Sequence, residues 1–427
     1  VDIVPRRPGH GRFHVRSALQ LSTEQDERTP QSAQRPATAR IVALLAATGV
    51  SVTGDGAFLA AAPLLAASLT RDPLAVSTVT AAFYLPWLLV GLPAGALVDR
   101  WPRRLVMITA DLLRAGVLTA LAVLMATGHA ALAPLVGAIL IVGIAQCFFD
   151  ASSQSVIPVL VGRDKETLTR TNGRYWAIDT VGRSLAGPPI GSAAFALSRM
   201  LPFAGDAASF VMSAACISRL PAMPAPGGNL PLVAAVRAGL SHLRRTPELR
   251  MLATGMALYN FAYNVSMATF VLYATSVLHV ADAGYGLLLA VAAVGGILTG
   301  WRAAPLTRRL SYRRMMAIAC CLQGLAWAGI AAIPDAFATG AFLALIGAAS
   351  TLVSVAASSA RPALTPDNLL GRVTSAFRLF GVGAAGLGAL TGGLVAGEST
   401  LRIPLWVAAA LLAVTGGFLR PWARRPT

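Results

Sequence analysis

The residues of this 427-residue chain that could do chemistry are carboxyl and guanidinium groups set inside apolar sequence. Asp55 stands between Gly54 and Gly56 in the middle of an apolar run, with no basic residue within helical reach. A lone charge at a bilayer centre costs about 3 kcal/mol even on insertion scales, so such a group must be protonated, hydrated or paired across helices. A carboxyl that alternates between its two protonation states is the device proton coupling requires. Asp55 is therefore the candidate proton carrier, with a hydrogen-bonded packing role as the alternative. Two other acids have local partners, Asp111 three residues before Arg114 and Asp179 four before Arg183. Those spacings put each pair on one helix face and allow mutual neutralisation. Arg114 and Arg183 still lie deep in apolar sequence and are candidates to face a substrate cavity. Tyr259, Asn260, Tyr263 and Asn264 form a polar-aromatic strip at helical spacing, suited either to lining a path for an amphipathic molecule or to bonding between helices. Tyr84, Trp87, Gln146 and Gln323 are further candidate contacts, and Arg378 reads as a snorkelling side chain.

Catalytic and metal chemistry find no such foothold. His10, His14, His129, His242 and His279 fall in tails or connections, while Cys147, Cys216, Cys320 and Cys321 sit in apolar segments without ligand spacing. Neither a metal centre nor a nucleophile cluster is expected. No Gly-rich Lys-Ser/Thr signature is present, so neither ATP nor any other cofactor is expected.

The elements that must hold these groups follow from composition. Hydrophobic residues make up 56% and charged residues only 12%, about half the charge a soluble domain carries. With a mean hydropathy of +0.65, the chain reads as an integral membrane protein. Twelve apolar stretches are long enough to cross a hydrocarbon core about 30 Å thick, near 41–69, 74–98, 105–127, 131–158, 173–197, 201–219, 249–275, 283–304, 315–334, 337–360, 373–397 and 401–419. They lack a period of two, which favours helices over a barrel. The net charge of +17 would suit nucleic acid in a soluble chain, yet 29 of the 35 basic residues fall in the termini and alternate connections. That asymmetry predicts both termini in the cytoplasm, and no nucleic-acid partner.

Residues 1–39 read as a disordered cytoplasmic tail, 40–220 as a first six-helix bundle, 221–248 as a linker, 249–419 as a second bundle and 420–427 as a short tail. The linker opens Pro/Gly-rich. It then places Leu232, Val236, Leu240 and Leu243 on one face, with Arg237, Arg244 and Arg245 between them, the pattern of a surface amphipathic helix.

The halves echo each other. Gly91, Gly95, Arg103 and Arg104 recur as Gly296, Gly300, Arg308 and Arg309, and Gly173-Arg174 recurs as Gly371-Arg372. The run from Gly95 through Asp99, Arg100, Pro102, Arg103 and Arg104 resembles the signature between spans two and three of the major facilitator superfamily. Pro102 replaces its usual small turn residue, and the second copy has Ala304 where Asp99 stands. Gly182 and the run Gly187-Pro188-Pro189-Ile190-Gly191-Ser192 resemble the span-five motif of proton-coupled exporters, with Ser192 in place of its last Gly. The stretches Phe149-Asp150 to Pro158, Gly205 to Phe210 and Leu364 to Val373 resemble the branch holding enterobactin exporters and macrolide efflux proteins.

The resemblance implies an all-α membrane fold of twelve helices in two six-helix bundles. It also implies a latch of the outward-open state in which Asp99 faces the start of span eleven and the basic pair Arg103 and Arg104, beside Arg100, helps to hold it. Asp150, in the cytoplasmic half of span four, is placed to pair with Arg103 or Arg104 in that gate. The function implied is secondary transport by alternating access, a monomer in the lipid bilayer exchanging protons for an amphipathic siderophore, natural product or drug. An importer of nutrients with the same fold and a transport-inactive sensor remain alternatives, as does the static-kink reading of the span-five prolines. An enzyme is not expected.

Overall fold

A computed structural model describes residues 31–98, 100–161, 165–219 and 232–419. Asp99, the first part of the expected linker, most of the tail before residue 40 and the tail after residue 419 lie outside these residues. All regular structure among the described residues is helical.

Seven helices are long and apolar enough to cross a membrane, namely Leu45–Leu69, Arg103–Ala126, Leu132–Ser153, Asp282–Trp301, Tyr312–Ala332, Ala336–Leu364 and Leu369–Gly397. Three shorter apolar helices, Pro73–Leu89, Leu201–Ile217 and Ile403–Leu419, join them. Spans five and seven complete the twelve as interrupted helices. Span five runs Lys165–Thr180, a π turn Val181–Ala186, then Gly187–Leu197; span seven runs Pro247–Met267 and Phe270–Ser276. The first helix begins at Gln31, inside the stretch read as a tail, where Gln, Ala and Arg favour helix.

Spans two and eight share a break near one end. Each is followed at once by a short helix, Gly91–Val98 or Ala303–Arg309. Pro93 and Pro305 explain both, because neither can donate to the carbonyl four residues earlier, at Leu89 and Trp301. The echo in sequence is thus an echo in backbone.

The halves also pack alike. In the first, span one meets five and six, span three meets four and six, and span two meets four; in the second, seven meets eleven and twelve, nine meets ten and twelve, and eight meets ten. Between halves the main seams are two against eleven and five against eight. The linker helix Leu232–Arg245 is amphipathic as expected, with Leu243 buried and Arg237 and Arg244 exposed. It packs on the first turns of span eleven rather than lying free, and Gly239 abuts the Arg372 carbonyl there. The side carrying this helix is called the linker face below, and the opposite side the far face.

Candidate functional site

Span five is shaped by its prolines. Pro188 and Pro189 leave the carbonyls of Ser184 and Leu185 without their usual donors, and the ladder reopens as the π turn, with the Gly187 amide reaching back to Gly182. Such turns widen a helix locally and recur at functional sites. Here the turn carries Arg183. The close approach of span one makes use of it: a Cβ at Gly187 or Gly191 would overlap the backbone of Gly56 or Ala57. With the backbones in contact, Arg183 reaches Asp55 Oδ2 at 2.9 Å and its Nε lies 3.3 Å from Asp179 Oδ1. Asp55 is therefore paired across helices, to a residue 128 positions away that no local reading would connect to it. One guanidinium stands between two carboxylates on two spans.

Arg114 has a different setting. It pairs with Asp111 and donates to Gln146, and Gln146 donates in turn to Asp150 Oδ1 at 2.9 Å. Its guanidinium is fully buried, 4.0 Å from the Phe210 ring centre and 4.6 Å from that of Phe149. It does not line the cavity, contrary to the expectation from sequence, because two aromatic rings and Gln146 close over it. Asp150 is likewise drawn inward by Gln146 and makes no ion pair with Arg104 among the described residues. Arg114→Gln should cost about 3–5 kcal/mol of stability by stranding a buried charge. A lowered unfolding temperature in detergent would register the loss, and an unchanged one would refute it.

Asp206 is 1% exposed, accepts from Ser209 at 3.1 Å and packs behind Gly54. The interior of the first half thus holds Asp55, Asp111, Asp150, Asp179 and Asp206 against Arg114 and Arg183. The spans of the second half carry acids only at their ends, Glu248, Asp282, Asp335, Asp367 and Glu398. Gln323, a candidate cavity contact, is fully buried in span nine.

A cavity of about 1240 Å³ lies between the halves. From the first half Asp55, Arg183, Gln146, Tyr84 and Trp87 line it; from the second, Tyr263, Asn264, Tyr285, Ser350 and Thr351. Acid–base chemistry is on one wall, hydroxyls and amides on the other. Tyr259 and Asn260 fall instead on an adjoining cavity of about 430 Å³, where the Tyr259 hydroxyl meets Ser350 Oγ at 2.9 Å.

The main cavity runs along span eight from Tyr285 to Trp301, reaching the linker-face ends of spans five and eight at the exposed Trp176 and Trp301. It is shut at the far face. Ser192 Oγ donates to the Ala283 carbonyl at 3.0 Å and accepts from the Gly286 amide at 3.2 Å, tying span five to span eight. Arg71 donates to Ser276 Oγ at 3.0 Å, and Gly393 of span eleven packs on Ser77 of span two. Ser192 entered the sequence reading only as a departure from a motif; its place in a seam between halves gave no local signal.

The expected latch residues are at the linker face. Arg100 is exposed in the turn after span two, Arg103 opens span three, and Arg104 donates to the Ser218 carbonyl at the end of span six. Arg104 thus binds its own half, while Asp99 lies outside the described residues.

Comparison with known proteins agrees with this architecture. A family model described as transmembrane secretion effector matches residues 32–422. The multidrug efflux pump Tap of Mycolicibacterium fortuitum is 28% identical over 399 residues, covering 89% of this chain and 95% of that protein. A bacterial homologue of the iron transporter ferroportin in its inward-facing state has a TM-score of 0.71 at 17% identity, covering 91% of this chain and 99% of that one. A bacterial homologue of the human lysosomal transporter Spinster, inward-facing and unoccupied, has a TM-score of 0.70 at 14% identity, over 90% and 96% of the two chains. With its family model spanning nearly every described helix, the chain belongs to the transmembrane secretion effectors of the major facilitator superfamily, a family of multi-pass membrane transporters.

Proposed function

We propose that the protein is a proton-coupled antiporter that exports an amphipathic small molecule, with the linker face and both termini in the cytoplasm. The observation that carries the reading is Arg183 on the cavity wall, 2.9 Å from Asp55 on span one and 3.3 Å from Asp179 on its own helix. When Asp55 takes a proton, the guanidinium loses its partner on span one and keeps Asp179. The bond between spans one and five is then made or released by one proton, beside the backbone contact at Gly187 and Gly191. The interior of this half holds three more carboxyls than guanidiniums, and unpaired buried carboxylates are costly, so the half is built to hold protons. Charge distribution supports the orientation, since basic residues are retained in the cytoplasm. The aromatic cavity walls suit an amphipathic cargo, and the similarity to an efflux pump favours export.

In this orientation the far-face closure is an inward-facing state, ready to load from the cytoplasm or inner leaflet. Protonation from outside follows once the far face opens, and the gradient then drives the cycle by binding the two states unequally. The test is accumulation of candidate drugs in cells with and without the protein, with and without a collapsed proton gradient. Lower accumulation that depends on both the protein and the gradient is expected. Protein-dependent uptake, or export indifferent to the gradient, would overturn the reading.

A further inference from the structure

We propose that the smaller cavity is an anion subsite, so that the transported molecule is an amphipathic acid whose carboxylate or sulfonate docks on Arg378. This rests on the preceding reading that the central cavity holds the cargo. The two guanidiniums that reach the cavities differ in their charge balance. Arg183 has two carboxylate partners. Arg378, on span eleven, has no carboxylate within ion-pair distance among the described residues. Its guanidinium instead lies 3.8 Å over the ring of Trp87 on span two. Stacking uses the face of a guanidinium and leaves its edge donors in plane, the geometry that chelates an oxyanion.

The surroundings are those of a built site. The cavity of about 430 Å³ brings Arg378 together with Asn260, Asn264, Tyr259 and Ser354. Asn264 is 1% exposed, and its Oδ1 has no hydrogen-bond partner among the described residues while Nδ2 donates to the Asn260 carbonyl at 2.9 Å. A buried amide oxygen without a partner costs free energy until a donor meets it, and a ligand hydroxyl or amine would supply one. Tyr84, Tyr263, Asn264 and Ser350 belong to both cavities, so an apolar body in the larger one can place an acidic end in the smaller. Because Trp87 and Arg378 come from opposite halves, an anion held there touches the seam that alternating access must work.

Two probes isolate the charge: 8-anilinonaphthalene-1-sulfonate and the neutral N-phenyl-1-naphthylamine share a scaffold and differ by the sulfonate. Binding is followed by fluorescence with the full chain in lipid nanodiscs and no gradient. A charge-assisted pair predicts that the wild type holds the sulfonate about ten- to hundred-fold more tightly than the neutral probe. That ratio should fall toward one in Arg378→Gln and be kept only in part in Arg378→Lys, which retains the charge but not the planar edge donors. Equal affinity for the two probes in the wild type, or an undiminished ratio in Arg378→Gln, overturns the subsite; the wild-type measurement decides even where a variant fails to fold. Gradient-driven flux of the same probes in proteoliposomes tests transport separately. Selective binding without flux would overturn the exporter reading and keep the subsite, while flux without selectivity would do the reverse.

Discussion

Asp55→Asn is expected to abolish accumulation driven by a proton gradient in proteoliposomes while leaving downhill movement of substrate. The substitution keeps the shape of the side chain and removes its titration. Arg183 then retains Asp179 alone, as though span one were permanently protonated. Loss of one charge-assisted bond is worth about 1.5–3 kcal/mol, or roughly ten- to hundred-fold in the balance between states. Asp55→Glu restores a titrating group one methylene longer and should recover part of the coupled flux. Undiminished gradient-driven accumulation in Asp55→Asn would remove Asp55 from the coupling path and leave Asp206, buried with one carboxyl oxygen unpartnered among the described residues, as the acid to test next.

Gly286→Val should hold the far face open. At this position the backbone of span eight lies against span five so closely that a Cβ would overlap the Pro188 carbonyl. The obstacle is main chain on a proline-fixed segment, so neither side yields easily. Overpacking of this kind costs about 1–3 kcal/mol, which lowers the ratio of closed to open far face about five- to 150-fold. Spin labels replacing the exposed far-face residues Arg199 and Ala281, one in each half, should move apart, and transport should fall because the cycle cannot return. Ser192→Gly removes the side-chain bonds to Ala283 and Gly286 without adding bulk. Its effect should be in the same direction and smaller, about 1 kcal/mol. An unchanged label distance in Gly286→Val would show that this contact does not govern closure.

Helix content, the twelve spans and the internal repeat were all legible from sequence, because each depends on local composition or fixed spacing. Periodicity likewise put Asp111 beside Arg114 and Asp179 beside Arg183, since residues three or four apart share a helix face. Sequence also marked Pro188 and Pro189 as a disturbance, though not that the ladder would reopen as a π turn carrying Arg183. Other relations depend on which helices become neighbours. Asp55 looked solitary because its partner lies 128 positions away on a helix whose close approach to span one is made at Gly187 and Gly191. Arg114 looked like a cavity residue, yet Phe149 and Phe210, from two other spans, seal it in. Arg378 looked like a snorkelling side chain until span two brought Trp87 beneath it.

By itself, then, the sequence determined that this chain is a twelve-helix membrane protein with acids gathered in its first half, for burial in lipid and helical spacing are local constraints. Tertiary structure alone decided which acid shares Arg183, which arginine is sealed away and which keeps its charge open to the cavity. A buried charge is defined by what packs against it, and those neighbours come from elsewhere in the chain.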